Sequence, residues 1–114
     1  MSLLQLGHLA HQINAGNGWD TFRPEMWDEE NQPPFSREDL RFLCTHMALV
    51  HSEVSEATEA IRKHDRANFD EELADVLIRV VSIAYGLGTD LDAAVAAKLA
   101  KNRNRGLHHG GKAV

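Results

Sequence analysis

The fold is decided by one stretch of the sequence, residues 69–87, which reads FDEELADVLIRVVSIAYGL. Its apolar side chains recur around most of the circumference of a helix, and such a pattern predicts a helix that is buried on nearly all sides. One stripe of this helix is polar and consists of Glu72, Asp75, Arg79 and Ser82. The stripe must face either a narrow strip of solvent or an internal polar site.

The preceding segment, residues 41–63, is predicted to form a second helix with two neighbouring stripes. The first stripe is apolar throughout and is expected to face the core: Leu43, Met47, Val50, Val54, Ala57 and Ile61. The second stripe is only partly apolar: Phe42, His46, Leu49, Glu53, Glu56 and Ala60. Glu53 and Glu56 therefore interrupt a partly apolar surface and do not lie in the middle of the solvated face.

Each of the two helices carries a pair of acidic residues spaced three apart. The pairs are Glu53 with Glu56 and Glu72 with Asp75. Residues at this spacing share a helix face, so packing the two helices together brings four carboxylates into one volume. Four like charges repel unless a cation lies among them, and ligation by oxygen alone suits Mg²⁺, with Mn²⁺ as an alternative. One acidic pair by itself would indicate a solvated face, but the apolar surroundings of both pairs favour a metal site.

Length and composition indicate a small single-domain protein, residues 1–114. The formal net charge of −5 argues against a nucleic-acid partner. The single cysteine, Cys44, excludes an intrachain disulfide. No stretch approaches membrane-spanning length, so we expect a cytoplasmic protein without a membrane partner. Apolar surface this extensive on so short a chain suggests a homodimer or homotetramer.

The sequence predicts an all-α, four-helix, bundle-like fold, completed by dimerisation and built on the antiparallel pair of helices two and three. Ser36 is the expected N-cap of the second helix. Thr89 is the expected N-cap of the fourth, with Asp92 three residues on as in a capping box. Including these caps, the predicted helices span residues 3–15, 36–64, 69–87 and 89–105. Residues 106–114 are predicted to form a flexible tail.

A long loop over residues 17–36 contains four of the seven aromatic residues of the chain. They are Trp19, Phe22, Trp27 and Phe35. Long loops inside compact domains are often functional. The rings can stack on a nucleobase or cover the helix pair, and for at least two of them packing is the expected role.

Cationic residues are concentrated at the end of the chain, after the last acid, Asp92. Lys98, Asn102 and Arg105 share one helix face and can hold phosphate oxygens through charge-assisted hydrogen bonds. Cations at a helix C-terminus also complement the helix dipole, and the spacing leaves both interpretations open.

The complete arrangement, E-x-x-E followed by E-x-x-D on the next helix, resembles the MazG-like all-α nucleoside triphosphate pyrophosphatases. The matching segments read EVSEATEA at 53–60 and EELADVLI at 71–78. Residues 98–105, KLAKNRNR, are similar to the K-x-x-x-N-x-x-R ending of the family, and HGGK at 109–112 resembles its glycine-lysine tail. The resemblance covers about residues 40–112. Arg79 departs from the pattern, which has an aromatic or aliphatic residue there, and can pair with Asp75.

The resemblance implies hydrolysis of a nucleoside triphosphate, a deoxynucleotide or non-standard nucleotide, to the monophosphate and pyrophosphate, as in nucleotide house-cleaning. The residues that it implies as catalytic and Mg²⁺-binding are Glu53, Glu56, Glu72 and Asp75. Those that it implies for the phosphates are Lys98, Asn102, Arg105 and Lys112, with Trp19 helping to frame the base.

Three other classes are weighed against this one. A phosphoribosyl-ATP pyrophosphohydrolase would use similar acids on a different substrate. A non-catalytic helical interaction module would use the acids as a docking face. A ferritin-like di-iron protein would need Glu-x-x-His pairs, and no Glu in this chain has a His three residues later.

Overall fold

The computed structural model describes residues 1–105 and contains four α-helices within that range. They are α1 (Leu3–Gly16), α2 (Arg37–Arg62), α3 (Arg66–Leu87) and α4 (Leu91–Asn104), with a 3₁₀ turn at Pro24–Met26 between α1 and α2. No strand occurs between residues 1 and 105. The expected all-α, four-helix fold is therefore confirmed, while the predicted tail and Lys112 lie outside the described residues.

The centre of the fold is the pair of α2 and α3. The Ser36 hydroxyl caps α2 by accepting a hydrogen bond from the Asp39 backbone N–H at 3.1 Å, as its sequence position predicts. Only three residues separate the two helices, and His64 among them takes a left-handed backbone conformation with φ of 55°. So short a connection folds the chain back, and the two helices pack as an antiparallel pair.

Two predicted helix starts were wrong. Helix α3 begins at Arg66, not at Phe69, because the Asp65 side chain caps it by accepting from the Asn68 N–H at 3.1 Å. Helix α4 is capped by Asp90, which accepts from the Ala93 N–H at 3.0 Å, and not by Thr89. Aspartate is as good an N-cap as serine or threonine, so the local pattern alone did not separate the candidates.

Asp92 caps a different helix from the one predicted. Its two carboxylate oxygens accept from the backbone N–H groups of Leu3 and Leu4, each at 3.0 Å. Both donors belong to the first turn of α1, where a helix leaves N–H groups unpaired and favours negative charge. Asp92 therefore ties the start of α4 to the start of α1.

Helix α1 packs closely against the second half of α3. Gly7 is buried, and a β-carbon added there would lie 2.6 Å from the carbonyl oxygen of Val81. Farther along, the His8 ring stacks on Tyr85 at 5.2 Å and His11 meets the same ring edge-on. The missing side chain of Gly7 thus allows the two backbones to approach one another.

The predicted core stripe of α2 is only partly buried, so that prediction was wrong in part. Ala57 is buried, but Met47, Val54 and Ile61 are between 48% and 59% exposed. The second stripe faces α3 instead, with Ala60 buried and His46 and Leu49 half-buried. Helical spacing shows which side chains share a face but not which face packs within one chain.

Helix α3 also departs from the expected burial on nearly all sides. It is buried around Val81 and Ala84 near its C-terminal end, whereas Leu73, Leu77 and Ile78, nearer its N-terminal end, are exposed. The reason is that α1 covers the second half of α3, while the first half packs mainly against α2.

Helix α4 leaves α3 after a change of direction of 114° and contains no buried residue. Val95 and Leu99 are exposed on it. No single helix among residues 1–105 is long and apolar enough to cross a membrane, although α3 and α4 taken together across their bend pass that test of length and composition.

Candidate active site

Three carboxylates meet where the second half of α2 lies beside the first half of α3. Glu53, Glu56 and Glu72 each offer an oxygen, and these oxygens all lie within 4.8 Å of one another. Glu53 and Glu72 are half-buried and Glu56 is exposed. The antiparallel packing of the helices therefore brings together three of the four predicted ligands.

The fourth predicted ligand, Asp75, lies outside this group of three. It is half-buried, about one helical turn beyond Glu72, on the wall of the adjoining cavity. Its position between the carboxylate group and the cavity is compatible with either a metal or a substrate contact, and its role as a ligand stays a prediction.

Glu72 has the most perturbed environment of the three. Its Oε2 atom is buried and no hydrogen-bond donor reaches it. The hydrogen bond that protonated Glu72 gives to Glu53, together with burial and the nearby charge of Glu56, raises the pKa of Glu72 to about 7. The same hydrogen bond, helped by Arg79 and opposed by burial, lowers the pKa of Glu53. Crowded carboxylates with an unpartnered oxygen fit a hard cation such as Mg²⁺.

Arg79 pairs with an acid on the opposite helix. Its Nε donates to Glu53 Oε1 at 3.1 Å, across the packed faces of α3 and α2. The ion pairs within residues 1–105 include none between Arg79 and Asp75, so the pairing suggested by the sequence was wrong. The side chain of Arg79 extends across to α2 and not back along its own helix.

A cavity of about 640 Å³ opens beside the carboxylates. It is lined by residues of α1, α2, α3 and the loop over residues 17–36, called here the aromatic loop. Its walls are formed by Asn14, Trp19, Asp20, Thr21, Phe22, Phe42, His46, Leu49, Asp75, Ile78, Arg79, Ser82 and Ile83. A volume of this size with several aromatic walls is typical of small-molecule sites. Asp75 lies on the same helix as Glu72, and Arg79 forms an ion pair with Glu53. Both residues therefore lie on the side of the cavity nearest the carboxylates.

The aromatic loop contributes both a packing residue and an open ring. Phe22 is buried, with its ring centre 4.9 Å from Phe42 and 4.8 Å from His46. Trp19 is 69% exposed and lines the cavity, as its assignment to the substrate-binding set requires. Trp27 packs edge-on against Phe35 at 5.4 Å, away from this cavity wall. Packing against the helix pair is thus confirmed for Phe22, while Phe35 packs against another residue of the loop.

Several wall residues were not assigned to the site from the sequence. His46 shares the α2 stripe of Glu53, and that shared stripe was the available signal for it. Burial, and then the charge of Arg79, lower the pKa of His46, so its imidazole is neutral at pH 7. Asn14 donates from Nδ2 to the Ser82 hydroxyl at 3.4 Å, and this contact between α1 and α3 had no local sequence signal.

The cationic set on α4 lies away from this cavity. Lys98 and Arg105 are exposed, Asn102 is half-buried, and none of the three lines the cavity. Asn102 Oδ1 is nevertheless buried without a hydrogen-bond partner among residues 1–105. Their role in phosphate binding stays a prediction, as does that of Lys112.

The comparison with known families identifies the chain. The model of the MazG nucleotide pyrophosphohydrolase domain matches residues 43–109, which is more than half of the chain and includes all four predicted ligands. No curated protein and no solved structure matches the chain. The carboxylate group on α2 and α3 lies within the matched region, and the family is generally metal-dependent. The chain therefore belongs to the MazG family and is a nucleoside triphosphate pyrophosphohydrolase, a hydrolase of phosphoanhydride bonds.

Proposed function

We propose that this protein uses Mg²⁺ to hydrolyse a nucleoside triphosphate, a deoxynucleotide or a non-standard nucleotide, to the monophosphate and pyrophosphate. The observation that carries the proposal is the group of three carboxylates, with oxygens within 4.8 Å, beside an aromatic-lined cavity of about 640 Å³. The whole chain, residues 1–114, acts as one domain in this proposal.

The carboxylates are the metal-binding residues of the proposed site. Glu53, Glu56 and Glu72 hold the cation, and Asp75 completes the set from one turn farther along α3. Mg²⁺ bound there would supply charge neutralisation for the phosphate oxygens and acidify the attacking water. The buried Oε2 of Glu72, which no donor reaches, supports this assignment, because such an oxygen is costly unless the carboxyl group is protonated or a cation is bound.

The cavity receives the nucleoside portion of the substrate. Trp19 offers an exposed ring for stacking on the base, and Phe42 and His46 form aromatic walls. With the base in the cavity, the phosphates extend past Asp75 and Arg79 toward the carboxylates. Lys98, Asn102, Arg105 and Lys112 are proposed as contacts of the β- and γ-phosphates.

The active form is proposed to be a homodimer or homotetramer. The exposed apolar side chains on α2 repeat every seven residues, at Met47, Val54 and Ile61, so they form one continuous stripe. Leu73 and Leu77 are exposed one turn apart on α3. Burial of these side chains by a second copy would supply apolar contacts that one chain lacks.

A substrate panel tests the proposed reaction. Standard and modified NTPs and dNTPs, with phosphoribosyl-ATP included, are incubated with Mg²⁺ and the products are separated. We expect monophosphate and pyrophosphate from one or more nucleoside triphosphates. Orthophosphate released without added inorganic pyrophosphatase would contradict the proposal, and turnover of phosphoribosyl-ATP alone would favour that alternative substrate.

A further inference from the structure

Arg79 occupies the junction between the carboxylate group and the cavity. Its Nε donates to Glu53 Oε1 at 3.1 Å, and its side chain also lines the cavity wall. Among residues 1–105, it is the only lysine or arginine that lines the cavity. One side chain therefore contacts both parts of the site.

The hydrogen bond to Glu53 leaves most of the guanidinium group available. A guanidinium has five N–H donors in a fixed planar fork, and this bond uses the one at Nε. The side-chain hydrogen bonds within residues 1–105 include none from the two terminal nitrogens. Because Glu53 fixes the plane of the group, its remaining four donors are pre-oriented to bind an oxyanion at two points.

The surrounding negative charge favours a fixed cation beside the first phosphate of an anionic ligand. Asp20 and Asp75 line the cavity, three further carboxylates adjoin it, and His46 is neutral. A nucleotide whose base lies in the cavity carries its first phosphate toward this acidic region. Arg79 is the cation that this phosphate meets between the aromatic walls and the carboxylates.

We propose that Arg79 is a substrate-binding residue that holds the α-phosphate of the nucleotide and is itself positioned by Glu53. This inference rests on the proposed function of the site. The competing possibility is that Arg79 serves only to neutralise Glu53.

Binding of non-hydrolysable nucleotides tests the proposal. The probes are the four common deoxynucleoside α,β-imidotriphosphates with Mg²⁺, titrated into the full chain by calorimetry. Arg79→Gln and Arg79→Met should each weaken the tightest of these complexes about tenfold or more, since one bidentate hydrogen bond to a charged group is lost. Arg66→Gln is the matched control, because Arg66 lies on the same helix in an exposed pair with Asp70. It should bind like the parent.

Two further measurements separate binding from support of Glu53. The nucleoside monophosphate should lose affinity by the same factor as the triphosphate analogue in either Arg79 variant, while the nucleoside should not. Mn²⁺ titrated into the nucleotide-free protein should bind the variants as tightly as the parent or more tightly, because a neighbouring cation has been removed.

The outcomes that would overturn the proposed role of Arg79 are distinct. Parent-like affinity for the analogue in both variants would overturn the proposal, as would a loss confined to the triphosphate. Loss of Mn²⁺ binding in the Arg79 variants would show that Arg79 acts only through Glu53. A parent protein that neither binds the analogues nor hydrolyses any nucleotide would instead refute the proposed function, so the two failures are distinguishable.

Discussion

At the scale of single residues, the site is governed by carboxyl groups held close together. Glu72 shows this most clearly, because its hydrogen bond to Glu53, then burial and the nearby charges of Glu56 and Glu53, raise the pKa of its carboxyl group to about 7 from the ordinary 4.5. Between those two values the folded protein binds a proton that the unfolded chain has released. The contribution of Glu72 to folding is therefore fully present below about pH 4.5 and is lost as the pH rises through about 7.

The first prediction concerns this pH dependence. In the presence of a chelator, the melting temperature of the parent should fall relative to that of Glu72→Gln as the pH rises from about 4.5 to about 7, and the difference should level off above that pH. The comparison with the variant is needed because His46, whose pKa is lowered from 6.5, changes the stability in the opposite direction in this window. Glu53, whose pKa is lowered, changes the folding stability only at more acidic pH. Thermal melts of both proteins across this window check the result. An equally steep decline in Glu72→Gln would assign the effect to other groups.

At the scale of helices, the sequence correctly predicted that there are four α-helices, but it placed some of their ends wrongly. Ser36 was identified as a cap because its donor lies three residues away. Asp92 was assigned to the wrong helix because its partners, Leu3 and Leu4, are 89 and 88 residues away. Capping within a helix is a local interaction and can be predicted from spacing, whereas capping between helices depends on the tertiary fold.

The second prediction concerns Asp92. Asp92→Ala should lower the free energy of unfolding by about 1–2 kcal/mol, because two N–H groups at the start of α1 lose their acceptors. Urea denaturation measures this change. Hydrogen exchange should accelerate in the first turn of α1 in this variant. In the control, Asp90→Ala, acceleration should be confined to the first turn of α4, since Asp90 caps only its own helix.

At the scale of the whole molecule, a single copy leaves much of its apolar surface in water. The sequence correctly indicated how much apolar surface the helices carry, but it placed the Met47, Val54 and Ile61 stripe in the core. It also predicted convergence of the acidic pairs, and Glu53, Glu56 and Glu72 meet. It gave no indication that Arg79 would reach Glu53 or that Asn14 would line the same cavity, because both depend on how α1, α2 and α3 pack.

The third prediction tests the proposed assembly. Val54→Lys should shift the protein toward monomer and lower its melting temperature, because a charge would enter the centre of the exposed apolar stripe of α2. Ser55→Lys, at the neighbouring exposed position, should leave both properties unchanged. Sedimentation at several protein concentrations measures the mass. A monomeric parent would contradict the assembly without affecting the site.

Melting curves with and without Mg²⁺ show whether the carboxylates of α2 and α3 form a metal site. In Glu56→Gln, turnover should be nearly abolished and the stabilisation by Mg²⁺ should largely disappear, while metal-free stability is equal or higher because repulsion is relieved. The matched Glu71→Gln, at an exposed neighbour of Glu72, should behave like the parent. Full activity together with an unaltered Mg²⁺ shift in Glu56→Gln would contradict the metal site.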